Sequence, residues 1–148
     1  MRRIIVFMFM AVLIMLPCQG IGAVIDWKQF NEGIRLAQKQ DKKIFLHFRT
    51  DWCGYCGQME RVSFKDSAVV RFLNENFVSI KVDGDKEKFI AEAYKVTGYP
   101  DNRFLDEKKE EAYRLPGFVD PMTLLFFLEY IQSDSFKTMD PMQYYKTR

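Results

Sequence analysis

The sequence predicts an α/β fold with a central mixed β-sheet flanked by helices. Three observations predict it. Helical and strand patterns alternate along the chain. The stretch KKIFLHFRT is a short aromatic-rich apolar run of the kind found in buried strands, and the chain closes on a hairpin pattern followed by a strongly apolar helix. With 148 residues, 48% of them hydrophobic and fourteen of them Phe, one domain around a single packed core is the default.

The elements follow in order. From Asp26 to Lys39, Trp27, Phe30, Ile34 and Ala37 recur at helical spacing, and Asp26 suits the N-cap. KKIFLHFRT is the first strand. CGYC comes directly after it, and GQMERVSFKD continues as a helix. SAVVRFLNENF begins another helix near Ser67, and FVSIKVD (77–83) is the next strand. KEKFIAEAYKV is helical, with Phe89, Ile90, Ala93 and Tyr94 on one side. Gly98-Tyr99-Pro100 breaks the chain. NRFLD and EEAYRLPGF form a hairpin across Asp106 to Lys109, with a loose turn because no glycine is present. Asp120-Pro121 gives an N-cap and a first-turn proline for MTLLFFLEYIQ, and Asp140-Pro141 repeats that signal for a short terminal helix.

Residues 1–20 stand apart from this core. Arg2 and Arg3 precede an unbroken apolar run from Ile4 to Leu16, and Pro17 leads into small residues. That layout is a signal peptide, with cleavage after Gly20 or Gly22, near 20–23. The run is shorter than the roughly 20 residues that span a bilayer as a helix. Cys18 would leave with the signal; Met15 and Pro17 do not fit the pattern for lipid anchoring at that cysteine. The chain then divides into a signal (1–20), a domain (24–132) and a C-terminal tail (133–148). Without Arg2 and Arg3, 20 of the 22 basic residues remain against 20 acidic ones, so no basic footprint for nucleic acid is present. Export puts Cys53 and Cys56 in a compartment that permits disulfides, with the bacterial periplasm as the expected location.

The sequence TDWCGYCGQ (50–58) places two cysteines at a strand-to-helix junction. A helix start offers unpaired N–H groups and the positive end of the dipole, which lower a thiol's pKa. Cys53 would lie at the mouth of the helix and Cys56 one turn inside, spaced so that the inner sulfur can resolve a mixed disulfide. Structural zinc takes four ligands, and Cys53, Cys56 and His47 are too few within one molecule; metal delivery would need a partner chain. A staple closing so short a loop stabilises little. The reading is a redox centre. A binding or chaperone module whose cysteines are not catalytic is the alternative.

Four pieces, IFLHFRTDWCGYC, FVSIKVDGD, VTGYPDNRFLD and LPGF, carry a resemblance to the thioredoxin superfamily over Val24 to Gln132, closest to its exported members with a GYP motif. The resemblance implies a thioredoxin fold and thiol–disulfide oxidoreductase activity without a metal or organic cofactor. Its partners are client proteins with thiols or disulfides and a redox donor or acceptor protein; the membrane is a partner only if the N-terminus is retained or lipidated. It implies a cis bond between Tyr99 and Pro100, with the backbone at Tyr99 facing the substrate chain. Trp52, Tyr55, Tyr99 and Pro100 become the substrate-binding residues. His47 stands where the family has a buried acid, and Lys81 matches its lysine on the following strand. Both are candidates for proton transfer to or from Cys56, although His47 is read first as a core histidine satisfied by backbone hydrogen bonds. The Gly-Tyr spacer is similar to periplasmic disulfide isomerases, although no dimerisation domain accompanies it. Asp101 replaces a usual threonine, and its carboxylate would disfavour a thiolate unless Arg103 compensates.

Overall fold

The computed structural model describes residues 24–148, so the signal segment and Cys18 lie outside the described residues. Five strands form one mixed sheet: β1 (Trp27–Lys28), β2 (Lys43–Arg49), β3 (Phe77–Asp83), β4 (Asp101–Leu105) and β5 (Glu111–Pro116). Their order is β1-β3-β2-β4-β5. β1 and β2 run parallel to β3, whereas β4 is antiparallel to β2 and to β5. The helices are α1 (Phe30–Gln40), α2 (Gly54–Arg61), α3 (Ser67–Asn76), α4 (Lys88–Ala93), α5 (Pro121–Gln132) and α6 (Pro141–Lys146). The arrangement is the thioredoxin fold expected from the sequence.

Central strand β2 explains why its sequence reads as a continuous apolar run: both of its faces are covered. Ile44, Leu46 and Phe48 join Ala37 of α1 and Ala91 of α4 in one core. Phe45, between them, points to the opposite core with Phe64, Leu73, Leu124 and Leu128. Burying large side chains contributes about 1.5–3 kcal/mol each, so the strand that leads into the cysteine turn is anchored on two sides.

Four local readings are corrected. Asp26 does not cap α1. Its N–H donates to Asn74 Oδ1 at 3.0 Å, Trp27 and Lys28 pair with Ser79 and Ile80 of β3, and the helix starts after Gln29, which makes no side-chain cap. Pairing with the sheet edge outweighs the local helix signal. Phe89 is 84% exposed and does not share a side with Ile90 and Tyr94, which pack on the core; in so short a helix the Ile90–Tyr94 face turns inward and the Phe89–Ala93 face outward. The CGYC helix stops at Arg61, and Ser63–Lys65 continue as a 3₁₀ turn whose Ser63 hydroxyl donates to Val119 O. The hairpin turn is well tied despite having no glycine. Asp106 Oδ1 accepts the N–H groups of Lys108 and Glu110, each at 2.9 Å, while Lys109 takes the left-handed conformation with φ 68°.

Asp120 caps α5 through the N–H groups of Met122 and Thr123, and Asp140 forms a capping box with Gln143 at the start of α6. The segment beyond Gln132 packs back on α5. The Tyr130 hydroxyl donates to Met139 O at 2.6 Å, and Tyr144 stacks near Phe126 and Tyr130.

Candidate functional site

The cysteines sit where β2 gives way to α2. The chain turns after Arg49, and Cys53 N–H donates to Thr50 O at 3.4 Å. Cys53 is the N-cap of α2, with extended backbone (φ −79°, ψ 106°). Its sulfur accepts the N–H of Cys56 at 3.1 Å, and its carbonyl accepts the N–H of Gly57. Cys53 and Cys56 are joined by a disulfide with Cα atoms 5.2 Å apart. Cys53 is 8% exposed and Cys56 fully buried. A thiolate on Cys53 would receive the same N–H and the helix's positive end, and a charged acceptor strengthens such a bond.

Trp52 and Tyr55 flank the pair, 71% and 65% exposed. Trp52 is held at two points: its indole N–H donates to Asp85 Oδ2 at 2.9 Å, and its ring meets Tyr99 edge-on with centroids 5.9 Å apart. The Tyr99–Pro100 bond is cis. Pro100 O accepts the N–H of Gly117 at 2.7 Å, tying this segment to the end of β5. Burial and the nearby carboxylates of Asp85, Asp83 and Asp101 raise the Tyr99 phenol's pKa.

His47 lies in the core beneath, opposite Lys81 on β3 and Asn102 on β4. The Asn102 amide nitrogen donates to Leu115 O and Gly117 O, which leaves Oδ1 for His47 Nδ1 at 2.7 Å. That assignment puts the imidazole proton on Nδ1, so Nε2 is buried with no hydrogen-bond partner among the described residues. The partner is a side-chain amide and not the backbone. Burial pushes the His47 pKa down to about 4, opposed by the Asn102 bond and assisted by the Lys81 charge, so the ring is neutral at pH 7. Lys81 spans from Glu60 to the face of Trp27, 4.5 Å from its centroid.

Asp101 is fully buried and takes two guanidiniums, Arg103 and Arg114. Arg103 was anticipated as its compensating charge; Arg114 was not, because it reaches across from β5. Sequence reasoning also missed Asn102, Glu60 and Asp85. Glu60 had a visible signal, since it follows Cys56 by four residues on the same helix face. Asn102 and Asp85 act through strand and loop pairings that no local pattern announces.

Residues 18–114 match the family model "Thioredox_DsbH", described as protein of unknown function, DUF255. Among solved structures, a thioredoxin from Thermus thermophilus is similar at a TM-score of 0.68 and 30% identity, covering 73% of this chain and 87% of that one. The human spermatogenesis-associated protein 20 is 35% identical over 71 residues, 47% of this chain. The thiol:disulfide interchange protein DsbD of Yersinia pestis is 29% identical over 103 residues, 66% of this chain. The chain spans a small part of these curated relatives, 9% of the human protein and 17% of DsbD. A thioredoxin-fold domain with a joined Cys53–Cys56 pair, matched by that model over most of its length, belongs to the Thioredox_DsbH family.

Proposed function

We propose that the protein is an extracytoplasmic thiol–disulfide oxidoreductase that exchanges its Cys53–Cys56 pair with thiols and disulfides of client proteins. The observation that carries the reading is the sulfur arrangement: the more exposed Cys53 caps α2 and accepts an N–H, and the enclosed Cys56 lies within bonding reach. In the reduced protein, the Cys53 thiolate attacks one sulfur of a client disulfide, and the client's other sulfur leaves as a thiolate. Cys56 then gives up its proton and attacks Cys53, releasing the client's remaining sulfur and regenerating the disulfide. Two electrons pass to the client; the reverse sequence oxidises a client dithiol.

Trp52, Tyr55, Tyr99 and Pro100 form the proposed docking surface for an extended client segment, with a redox donor or acceptor protein using the same face. A neutral His47 and the Lys81–Glu60 pair are the groups available to handle the Cys56 proton. The sequence of residues 2–20 supports the extracytoplasmic setting, and the likeness to a thiol:disulfide interchange protein supports the exchange chemistry. The test is a trap. Cys56→Ser should accumulate mixed disulfides between Cys53 and clients, and Cys53→Ser should abolish exchange. Adducts on Cys56 in the Cys53→Ser protein, with none on Cys53 in the other, would reverse the assignment of roles.

A further inference from the structure

The carboxylate of Asp101, the residue directly after Pro100, is gripped by two guanidinium forks. Oδ1 accepts from Arg103 Nε at 3.2 Å and Arg114 Nε at 3.0 Å; Oδ2 accepts from Arg103 Nη2 at 2.9 Å and Arg114 Nη2 at 2.8 Å. Arg103 is itself tied to Tyr94 O and Glu111, and it is almost fully buried. Arg114 differs. Its side chain is about one third exposed, and its only hydrogen bonds among the described residues go to Asp101. Arg114 therefore connects β5 to the residue next to the docking edge, in parallel with the Gly117 N–H that holds Pro100 O.

A buried ionic cluster is a poor choice for stability alone, since apolar residues of similar volume often stabilise as much or more. Two bidentate forks on one carboxylate instead fix direction, because each demands a planar geometry. Here the fixed carboxylate belongs to the first residue of β4, where Asp101 lies opposite Phe48 of the strand leading to the cysteines and opposite Pro116 of β5.

We propose that Arg114, acting through Asp101, is a positioning residue that holds the Tyr99–Pro100 edge in place for protein clients. This deepens the functional reading above and rests on it. Loss of Arg114 leaves Asp101 paired with Arg103, so the fold keeps a compensated carboxylate while the docking edge loses one of its ties. Sulfur chemistry is untouched; recognition of an extended chain suffers.

Three readouts on Arg114→Gln test this: the rate of the reduced protein with 5,5′-dithiobis(2-nitrobenzoate), kcat and KM for insulin disulfides, and the equilibrium with glutathione. The expected result is a loss of about tenfold in kcat/KM for insulin, carried by KM, because small misplacements of a bound chain are costly. The rate with the small disulfide and the glutathione equilibrium should match the unsubstituted protein. Arg114→Lys, which keeps the charge but not the fork, should recover part of the loss, and it carries the same comparison if Arg114→Gln does not fold. Equal losses with both disulfides, a shifted glutathione equilibrium, or no change with insulin would each overturn the positioning role. An unsubstituted protein inert to both disulfides would instead overturn the oxidoreductase reading itself, before any variant is compared.

Discussion

Gly84 lies directly under Tyr99: a Cβ built on Gly84 would fall 1.9 Å from the Tyr99 hydroxyl oxygen and 2.4 Å from Cζ. The missing side chain is what lets the tyrosine ring lie down against the loop after β3 and meet Trp52. The glycine of the DGD stretch thus shapes the face proposed for docking.

Gly84→Ala should consequently expel the Tyr99 ring. The ring is partly exposed and can swing outward, so the stability loss should stay below the about 1–3 kcal/mol of overpacking in a closed core. Near-ultraviolet circular dichroism should report the changed surroundings of Trp52, and exchange with insulin should weaken. An unchanged aromatic spectrum would show that Tyr99 is not seated by Gly84.

His47 predicts an acid-sensitive stability. Its folded pKa is lowered to about 4 from 6.5, so the unfolded chain binds the extra proton between those values. Stability from this residue is fully present above pH 6.5, falls as pH drops, and levels off below about 4. A shift of that size corresponds to about 3 kcal/mol. Asp83 and Asp120 are held below 3.8 by the groups that bond them, so the stability they contribute is lost mainly as pH falls past 3.8, below most of this window. Urea unfolding at pH 7 and pH 4.5 checks the prediction, and His47→Gln should flatten the slope.

The reduction potential should fall between about −270 mV, near thioredoxin, and about −180 mV, near protein disulfide isomerase. The Gly54-Tyr55 spacer argues for a more oxidising pair than Gly-Pro. The opposing carboxylates are less effective than sequence alone suggests, because Asp51 is paired with Arg49 and Lys86, and Asp101 with the buried Arg103. Equilibration with glutathione measures it. A value at or below that of thioredoxin would mark the spacer argument as mistaken.

Removing residues 139–148 should destabilise the domain. The cut takes away the carbonyl that receives the Tyr130 hydroxyl and the Tyr144 ring between Phe126 and Tyr130. Exposing one such aromatic costs about 1.5–3 kcal/mol. A melting temperature unchanged by the truncation would show that the last helix contributes nothing to the fold.

Much of this fold is legible in local signals. FVSIKVD is β3 residue for residue, and Asp120-Pro121 marks the start of α5. The cysteine pair is equally plain, because its geometry depends on four consecutive residues and a helix start. What escaped notice depends on distant partners. Two-residue β1 exists only because Ser79 and Ile80 offer it an edge. Asp101 reads as a carboxylate with Arg103 as its one compensating charge until β5 brings Arg114 beside it, and the tautomer of His47 is set by an asparagine 55 residues away. Hydrophobic periodicity reports which side of an element is buried, but not which polar atoms meet there.

The pairing of β2 with β4 has a consequence for the newly made chain. CGYC is adjacent in sequence and can form its disulfide whenever α2 begins, yet Pro100 is set beside the end of β2 only when Phe48 and Asp101 come into register across the intervening helices and β3. Long-range pairings of this kind close late, since the entropy of bringing the ends together comes first. On the proposed function, reactivity would therefore be a local property of the chain, whereas discrimination among clients would be a property of the finished sheet. A half-folded molecule would carry live sulfurs without a docking edge to choose what they touch.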